Sequence, residues 1–551
     1  MLTISASAMS KIFSADASGI ATSPPKVVVV GGGAGGLASA GRLARAGCSV
    51  KLLEKNAELG GRVQSENING WRFDTGPSLL LFPQKYEETF KALGTPMASV
   101  VDIRRIEPAA YRVFFPSSPG YSIDLLNNPD DMATQLEELE PGAGASFFKF
   151  LAMAKSHLDV GMPYFIDRSF DELKNAKNLF DLLPKLSSIN PWQMLGPHDM
   201  VMRKFFRDPR LRAAFTFQDL YVGLSPGSAP AVFSLLAGTE LTDGVWYPRG
   251  GFQSVRDGLE AAIKNCGVEI RTQSEVASIE VGQNGAVQGV RTTSGDYIEA
   301  DVVVCNRDLP AAYSLLHQSP IASVADYALK QTKKLSNLKY SAGVIAYNWC
   351  IKGKLEGLAH HNVFLSEKFE AAWKPAATPR ELPEFPNFYV HVPSRTDPTA
   401  APEGCDSVMI LLPVAHMQLK AKKTGTYNSA SENDSCTIYD ELVTAGRERI
   451  VDSFKTAGIG DVSKLIAHEM IITPPQWKER YGVQHGAAFG LSHTLDQLSL
   501  FRPADKDDAI NGLYFVGAST RPGNGVPLCF IGAKLTAERI LKDYGVVKLE
   551  E

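Results

Sequence analysis

The sequence predicts an α/β fold in which a dinucleotide-binding domain with a parallel sheet carries an inserted α+β domain. Four valines at residues 27–30 run directly into a glycine-rich turn and a small-residue helix. Buried-strand patterns recur in two later blocks, at residues 301–305 and near residue 514, and mixed segments separate the three blocks. We therefore expect one domain built from residues 26–105, 250–312 and 491–551, and a second, substrate-binding domain built from residues 106–249 and 313–490.

The first of these blocks is predicted to be a βαβ unit. An apolar, β-branched run such as residues 27–30 is typical of a parallel strand buried on both faces. A helix is expected over residues 36–46, where Gly47 stops it, and "CSVKLLEK" supplies a second strand that ends at Glu54.

The turn between the first strand and the helix contains the pattern G-x-G-x-x-G at Gly31, Gly33 and Gly36. Gly31 suits the tight turn, Gly33 lets the backbone approach a pyrophosphate, and Gly36 lets the helix pack closely on the sheet. Glu54, at the end of the next strand, is placed to accept the ribose hydroxyls. Such a glycine pattern is weak alone, but this strand–helix–strand–Glu context favours a dinucleotide site.

Two further turns follow Glu54. Gly60, Gly61 and Arg62 form a tight turn carrying a guanidinium, which suits a second contact to the pyrophosphate, although a solvated surface turn is the plain alternative. "FDTGPS", at residues 73–78, brings another glycine-containing turn back toward the same place.

Composition excludes several function classes. The chain has 551 residues, a net charge of −4 and no basic block, so nucleic acid is not expected as a partner. The seven cysteines contain no C-x-x-C, and the ten histidines form no metal-binding motif, so we expect a reduced, intracellular protein without a metal site. The longest uncharged stretch, residues 220–239, is interrupted by prolines and glycines, and we interpret it as a buried loop and helix beside a pocket.

Residues 1–25 are rich in Ser and Ala and end in two prolines. They contain no Arg, whereas transit peptides are usually Arg-rich. We expect a disordered tail, with a targeting segment and a plastid location as the alternative.

Longer stretches of the chain resemble a known family. The segment from "VVVVGGGAGG" to "GGRVQS" resembles the FAD motif of the amine-oxidase-like flavoproteins. "AFTFQDLYVGLSPGSAPAVFSLL", "GVWYPRGGFQSV", "YGVQHGAAFGLSH" and "LYFVGASTRPGNGVP" are similar, in that order, to segments of the bacterial and fungal type of phytoene desaturase. The resemblance covers residues 26–545 and implies a Rossmann-like FAD-binding domain and a hydrophobic carotenoid substrate.

The resemblance also implies which residues contact FAD. They are Gly31, Gly33, Ala34, Gly35, Gly36, Glu54, Lys55, Gly61, Arg62, Gly76, Pro77, Ser78, Val276, Gly517, Ala518, Gly525, Val526 and Pro527. The chain departs from the family pattern at Ala518, where many relatives carry an acidic residue, so the ribityl contact is expected from backbone, Ser519 or Thr520. It also has Arg521 where many relatives have His, and it ends on polar residues rather than a hydrophobic anchor.

A hydrocarbon substrate requires an apolar tunnel, and aromatic faces also stabilise transient positive charge on carbon. The predicted substrate-binding residues are Phe217, Tyr221, Trp246 and Tyr247, with Phe215 beside them. Ordinary core packing is the alternative for each of them. Asp219, Glu240, Arg249 and His485 are candidate proton-handling groups, each with a structural role as the alternative, and no catalytic residue is assigned.

We expect an FAD-dependent carotenoid desaturase that passes electrons to a quinone or oxygen and works at a peripheral membrane surface. A carotenoid cis–trans isomerase or oxidase is the alternative within the family. A non-catalytic isoprenoid-binding protein is the alternative of another class, and the complete glycine, Glu54 and Arg62 pattern argues against it. The C-terminal "GASTRPGNGVP" disfavours a nicotinamide dehydrogenase, and the resemblance disfavours an amine oxidase.

Overall fold

The structure is a computed structural model that describes residues 24–169, 181–185, 189–368, 372, 382–417 and 432–546, without the side chains of residues 432–437 and 500. Residues 1–23 of the predicted tail lie outside the described residues. Among the described residues, no helix combines the length and apolar character that crossing a bilayer requires.

The described strands fall into five sheets. In chain order they are β1 (Lys26–Val30), β2 (Ser49–Leu53), β3 (Ser65–Ile68), β4 (Trp71–Asp74), β5 (Ile103–Arg105), β6 (Ala109–Phe114), β7 (Ser122–Leu126), β8 (Trp246–Pro248), β9 (Glu269–Arg271), β10 (Val276–Val281), β11 (Val287–Thr292), β12 (Tyr297–Glu299), β13 (Val302–Cys305), β14 (Gly343–Ile351), β15 (His361–Phe364), β16 (Phe388–His391), β17 (Asp406–Val414), β18 (Ile466–Ile472) and β19 (Leu513–Phe515).

The described α-helices, in chain order, are α1 (Ala34–Arg45), α2 (Pro83–Ala92), α3 (Pro129–Leu139), α4 (Ala143–Val160), α5 (Pro191–Leu195), α6 (His198–Met202), α7 (Pro209–Ala214), α8 (Ser234–Thr242), α9 (Phe252–Asn265), α10 (Leu309–Ala312), α11 (Ala322–Ser336), α12 (Glu432–Thr456), α13 (Pro474–Tyr481) and α14 (Val526–Asp543). A shorter helical turn, Phe217–Val222, matters for the site below.

A five-stranded parallel sheet takes its strands from three separated parts of the chain, in the order β19-β13-β1-β2-β9. All four residues of β13 are buried, as are the four valines of β1, which is why these strands are uniformly apolar. The predicted fold class is confirmed. Helix α1 begins at Ala34, two residues before the expected start, because Gly33 is its extended N-cap, with φ of −73°.

A seven-stranded sheet has the order β18-β14-β17-β16-β15-β6-β7. Its pairs are antiparallel except for β15 with β6. All nine residues of β14 are buried, since this strand lies in the interior of the sheet. These strands come from the two stretches predicted to form the substrate-binding domain, whose exact boundaries stay a prediction.

Candidate active site

A cavity of about 500 Å³ lies at the carboxyl ends of the parallel strands. Val30 and Leu53 end β1 and β2, Asn306 and Val516 directly follow β13 and β19, and all four line this cavity. Ligands of open parallel sheets bind at this edge. Met409 of β17 lines it as well, so the cavity extends to the seven-stranded sheet.

Glycine is required at several positions of the glycine-rich turn, by backbone conformation or by close contacts. Gly31 has φ of +98°, which favours glycine, and a Cβ at Gly33 would lie 2.8 Å from Asn306 Oδ1. A Cβ at Gly36 would lie 2.1 Å from the Gly31 carbonyl oxygen, so Gly36 permits close packing and does not itself line the cavity. No side chain caps α1. The N–H groups of its first turn are therefore available to an anionic phosphate.

Glu54 is held by backbone donors at the end of β2. Its carboxylate accepts from Gly32 N at 2.7 Å and from Asn56 N at 2.9 Å, and the residue is 6% exposed. A carboxylate has about four acceptor positions. Two backbone bonds thus orient Glu54 and leave lone pairs for ribose hydroxyls. The segment carrying Val276 is joined to it, since Ser274 N donates to the Glu54 carbonyl at 2.8 Å.

The second glycine turn contacts the first. Gly60 N donates to Gly32 O at 2.7 Å, and a Cβ at Gly61 would lie 3.2 Å from Gly33 Cα. Arg62 lines the cavity and donates one bond, from Nη1 to Ala488 O at 2.7 Å. Because a guanidinium has five N–H donors, donors remain for a pyrophosphate.

The C-terminal motif closes the cavity from β19. Gly517 has φ of +124°, and a Cβ there would lie 2.8 Å from Asn306 Nδ2. Gly525 is the N-cap of α14, and no side chain caps this helix. A second set of unpaired helix N–H groups thus faces the same cavity, which Gly525, Val526 and Pro527 line.

Arg502, which the sequence analysis missed, stabilises the C-terminal motif through hydrogen bonds. Its side chain donates to the carbonyls of Ala518 (2.6 Å), Leu491 (3.1 Å), Thr520 (3.2 Å) and Ser492 (3.3 Å). Burial lowers its pKa to about 10. A guanidinium that binds four carbonyls fixes the loop backbone, and no local sequence pattern predicts contacts of this kind.

Asp308 is a second residue that sequence reasoning missed, and it bonds Ser519, the residue after Ala518. Its carboxylate accepts from the Ser519 hydroxyl and, at 2.9 Å, from Gln484 N, and it lines the cavity. The Thr520 hydroxyl donates to Gly517 O at 3.0 Å. An acidic group from the segment after β13 is therefore bonded to the residue that follows Ala518.

The structure brings the predicted FAD-contacting residues together. All of them line the cavity except Gly36, and Asn306 packs against the glycines at its centre. A dinucleotide pyrophosphate would find two uncapped helix N-termini, two glycine turns and a guanidinium in this cavity. Its ribose would find a buried acceptor carboxylate. These residues fit FAD.

Three of the predicted substrate-binding residues, Phe217, Trp246 and Tyr247, do not line this cavity, and only Tyr221 does. Phe217 packs edge-on against Tyr111 in the core. Trp246 Nε1 donates to Asp243 O at 3.1 Å. The Tyr247 hydroxyl donates to Asp74 at 2.7 Å. Because Asp74 lines the cavity and Tyr247 does not, Tyr247 lies behind the cavity wall. The aromatic pattern alone could not separate wall from core.

The apolar part of the cavity wall has another composition. It includes aliphatic and aromatic residues from the segment before α2, from α2, from the Phe217–Val222 turn, from α8 and the turn before it, and from the seven-stranded sheet. They are Leu79, Leu81, Phe82, Tyr86, Val222, Phe233, Leu235, Leu236, Val344, Ala346, Met409 and Leu411. Phe215 belongs to the core, where its ring stacks on Phe206 with centroids 5.0 Å apart.

The candidate proton-handling groups have different environments. Arg249 is exposed, and the His485 ring packs edge-on against Tyr340.

Asp219 is fully buried and pairs with His198 Nδ1 at 2.9 Å, while burial raises its pKa. Glu240, also buried, accepts from Tyr111 and Gln218, and burial raises its pKa to about 7.

Three histidines cluster behind the cavity wall, although the sequence shows no metal motif. Ring nitrogens of His360, His361 and His391 lie within 4.8 Å of one another. Burial lowers the pKa of each, and His361 Nδ1 bonds the cavity-lining Tyr389 at 2.7 Å. A metal dication there would face the Arg72 guanidinium, whose charge also lowers the pKa of His391. We interpret the cluster as hydrogen-bonded support for the wall.

Comparison with known proteins identifies close relatives. Residues 34–350 match the family model described as flavin-containing amine oxidoreductase. A phytoene desaturase of Fusarium fujikuroi is 36% identical over 94% of this chain and 90% of its own. A zeta-carotene-forming phytoene desaturase of Myxococcus xanthus is 33% identical over 94% of each. An oxidoreductase structure from Methanosarcina mazei, 19% identical, shares the fold with a TM-score of 0.59 over 93% of this chain and 100% of that one.

Proposed function

Since the chain belongs to the flavin-containing amine oxidoreductases, and among them to the phytoene desaturase family, it is an FAD-dependent oxidoreductase, and we propose that it desaturates phytoene or a related carotene. The observation that carries the proposal is that one cavity contains both a cofactor cradle and an apolar chamber. The cofactor cradle is formed by the two glycine turns, Glu54 and Arg62, and the apolar chamber by the aliphatic and aromatic wall residues. A hydrocarbon offers no polar group to bind, so its recognition has to come from burial of apolar surface.

The chemistry follows from this arrangement. FAD, held by the glycine turns, Glu54 and Arg62, would supply the hydride acceptor. The chain's own residues exclude water from the chamber, and the wall around Leu235, Val344 and Met409 holds the substrate against the cofactor site. Formation of a carbon–carbon double bond also releases a proton, which the protein has to accept.

The electron acceptor and the place of action belong to the same proposal. We propose a quinone or oxygen as acceptor and a membrane surface as the place where substrate enters. Support comes from exposed apolar side chains next to cavity segments. Phe501, 74% exposed, lies two residues after the cavity-lining Ser499. Trp192, 51% exposed, lies on α5, which contacts the turn carrying the cavity-lining Phe233.

The test is reconstitution of purified protein with FAD, phytoene in liposomes and a quinone, followed by chromatography of the products. A new polyene that has lost hydrogen supports the desaturase. An isomer of unchanged mass would indicate the isomerase, and a product carrying oxygen would indicate the oxidase. A protein that binds phytoene but no flavin would contradict any redox function. Gly33→Val, which fills the cofactor turn, is the inactive control.

A further inference from the structure

A chain of hydrogen bonds runs from the cavity wall to a buried carboxylate. Tyr221 lines the cavity, and its hydroxyl lies 2.7 Å from the Tyr111 hydroxyl. The Tyr111 hydroxyl donates to Glu240 Oε1 at 2.9 Å. Three elements supply these residues, namely the Phe217–Val222 turn, β6 and α8.

The chemistry of the groups fixes the direction of these bonds. A phenol has one proton, and Tyr111 gives its proton to Glu240, so the bond between the two tyrosines requires Tyr221 to donate to Tyr111. Glu240 Oε2 accepts from Gln218 Nε2 at 3.0 Å, so both of its oxygens accept. Every proton in the chain therefore points toward Glu240, and the Tyr221 oxygen keeps its lone pairs.

Glu240 lacks the partner that a structural carboxylate usually has. The residue is 1% exposed, and the side chains that bond it, Tyr111, Gln218 and Tyr221, are all neutral. No Lys, Arg or His forms an ion pair with it among the described residues, whereas buried charges are normally paired. The other titratable groups that its charge reaches are Tyr221 and Tyr389. Such an isolated carboxylate suits a group that gains and loses a proton.

We propose that Glu240 accepts, through Tyr111 and Tyr221, the proton released when the substrate is desaturated; this inference rests on the proposed function. One substrate C–H bond breaks and its hydride goes to the flavin oxidant. The neighbouring C–H bond breaks, its electron pair becomes the new π bond, and its proton goes to the Tyr221 oxygen. The Tyr221 proton moves to Tyr111, and the Tyr111 proton moves to Glu240.

The proposal predicts a specific pH profile for flavin reduction by substrate under anaerobic single-turnover conditions. Protonated Glu240 cannot accept a proton, and burial raises its pKa to about 7. The reduction rate therefore rises with pH and levels off above about 7, with a solvent isotope effect above one. Glu240→Gln, Tyr111→Phe and Tyr221→Phe each lower the rate about a hundredfold and abolish both the pH dependence and the isotope effect.

Tyr439→Phe is the matched control. Tyr439 is a buried tyrosine that donates to Ala415 O at 2.9 Å and does not line the cavity, so its loss costs one buried hydrogen bond and leaves the rate unchanged. Flavin absorbance that stays with the protein on gel filtration shows that each variant holds its flavin. If Tyr111→Phe and Tyr221→Phe keep the wild-type rate, pH profile and isotope effect, the relay is wrong. If phytoene leaves the wild-type flavin oxidised, the proposed function fails instead.

Should the variants not fold, the wild-type protein still decides the question. A pH-independent rate without a solvent isotope effect would overturn the relay, because each of its steps moves an exchangeable proton.

Discussion

Glu54→Gln tests the cofactor site most sharply, because the two side chains have the same shape. Glu54 accepts from Gly32 N at 2.7 Å and Asn56 N at 2.9 Å, one donor on each oxygen. Glutamine has one oxygen, so its NH₂ group has to face one of these N–H groups. The ribose hydroxyls then lose a carboxylate acceptor, and one charge-assisted bond to the cofactor corresponds to about 1.5–3 kcal/mol.

The expected result is a ten- to hundredfold weaker FAD affinity, since about 1.4 kcal/mol is tenfold. The assay is titration of apoprotein with FAD, followed by flavin fluorescence, together with the melting temperature of the apoprotein. Glu58→Gln is the control: the same change, four residues downstream, at a side chain that is 68% exposed and paired with Arg256. If Glu54→Gln binds FAD as tightly as wild type, Glu54 does not have the assigned role.

Three further predictions follow from buried and exposed groups. Burial raises the Glu240 pKa from 4.5 to about 7, so the native state binds more protons than the unfolded state in this range. Relative to Glu240→Gln, the wild-type free energy of unfolding should then fall by about 3 kcal/mol as the pH rises from 4.5 to about 7. Urea unfolding at a series of pH values measures this. Arg502→Met should lower stability by about 3 kcal/mol or more and weaken FAD binding, because four buried carbonyls lose their donor. Trp192→Asp with Phe501→Asp should reduce sedimentation with liposomes.

A specific result would contradict each of these three predictions. Parallel pH–stability curves for wild type and Glu240→Gln would mean that Glu240 titrates normally. An Arg502→Met protein with wild-type melting temperature and FAD affinity would show that the Arg502 hydrogen bonds do not stabilise the C-terminal loop. Liposome binding has Leu329→Asp as control, an exposed leucine on α11. If the wild type, the double variant and the Leu329→Asp control sediment alike, the proposed membrane surface is wrong.

Much of the cofactor cradle could be predicted because its chemistry is local in the sequence. Gly31, Gly33 and Glu54 lie within one βαβ unit, and each has a geometric requirement that few other residues satisfy. Asn306 donates to Val516 O across 210 residues of chain, a contact that only the folded structure reveals. Arg502 lies 11 residues from Leu491, but its bond to that carbonyl depends on how the loop folds.

The substrate wall was harder to predict for a physical reason. Aromatic side chains bury well both in a core and along a tunnel, so their identity does not separate the two. Tyr221 lines the cavity, whereas Phe217, four residues earlier in the same turn, packs into the core. Glu240 was visible as a candidate, but its connection to the cavity depends on Tyr111 from a distant strand.

The most direct test of the central claim is anaerobic mixing of the FAD-loaded protein with phytoene while the flavin and polyene absorption bands are recorded together. For an FAD-dependent desaturase, we expect flavin absorption to bleach as longer-wavelength polyene absorption appears, in equal amounts, and a quinone to restore the oxidised flavin. Polyene formation without bleaching, or an unchanged flavin and unchanged phytoene, would contradict it.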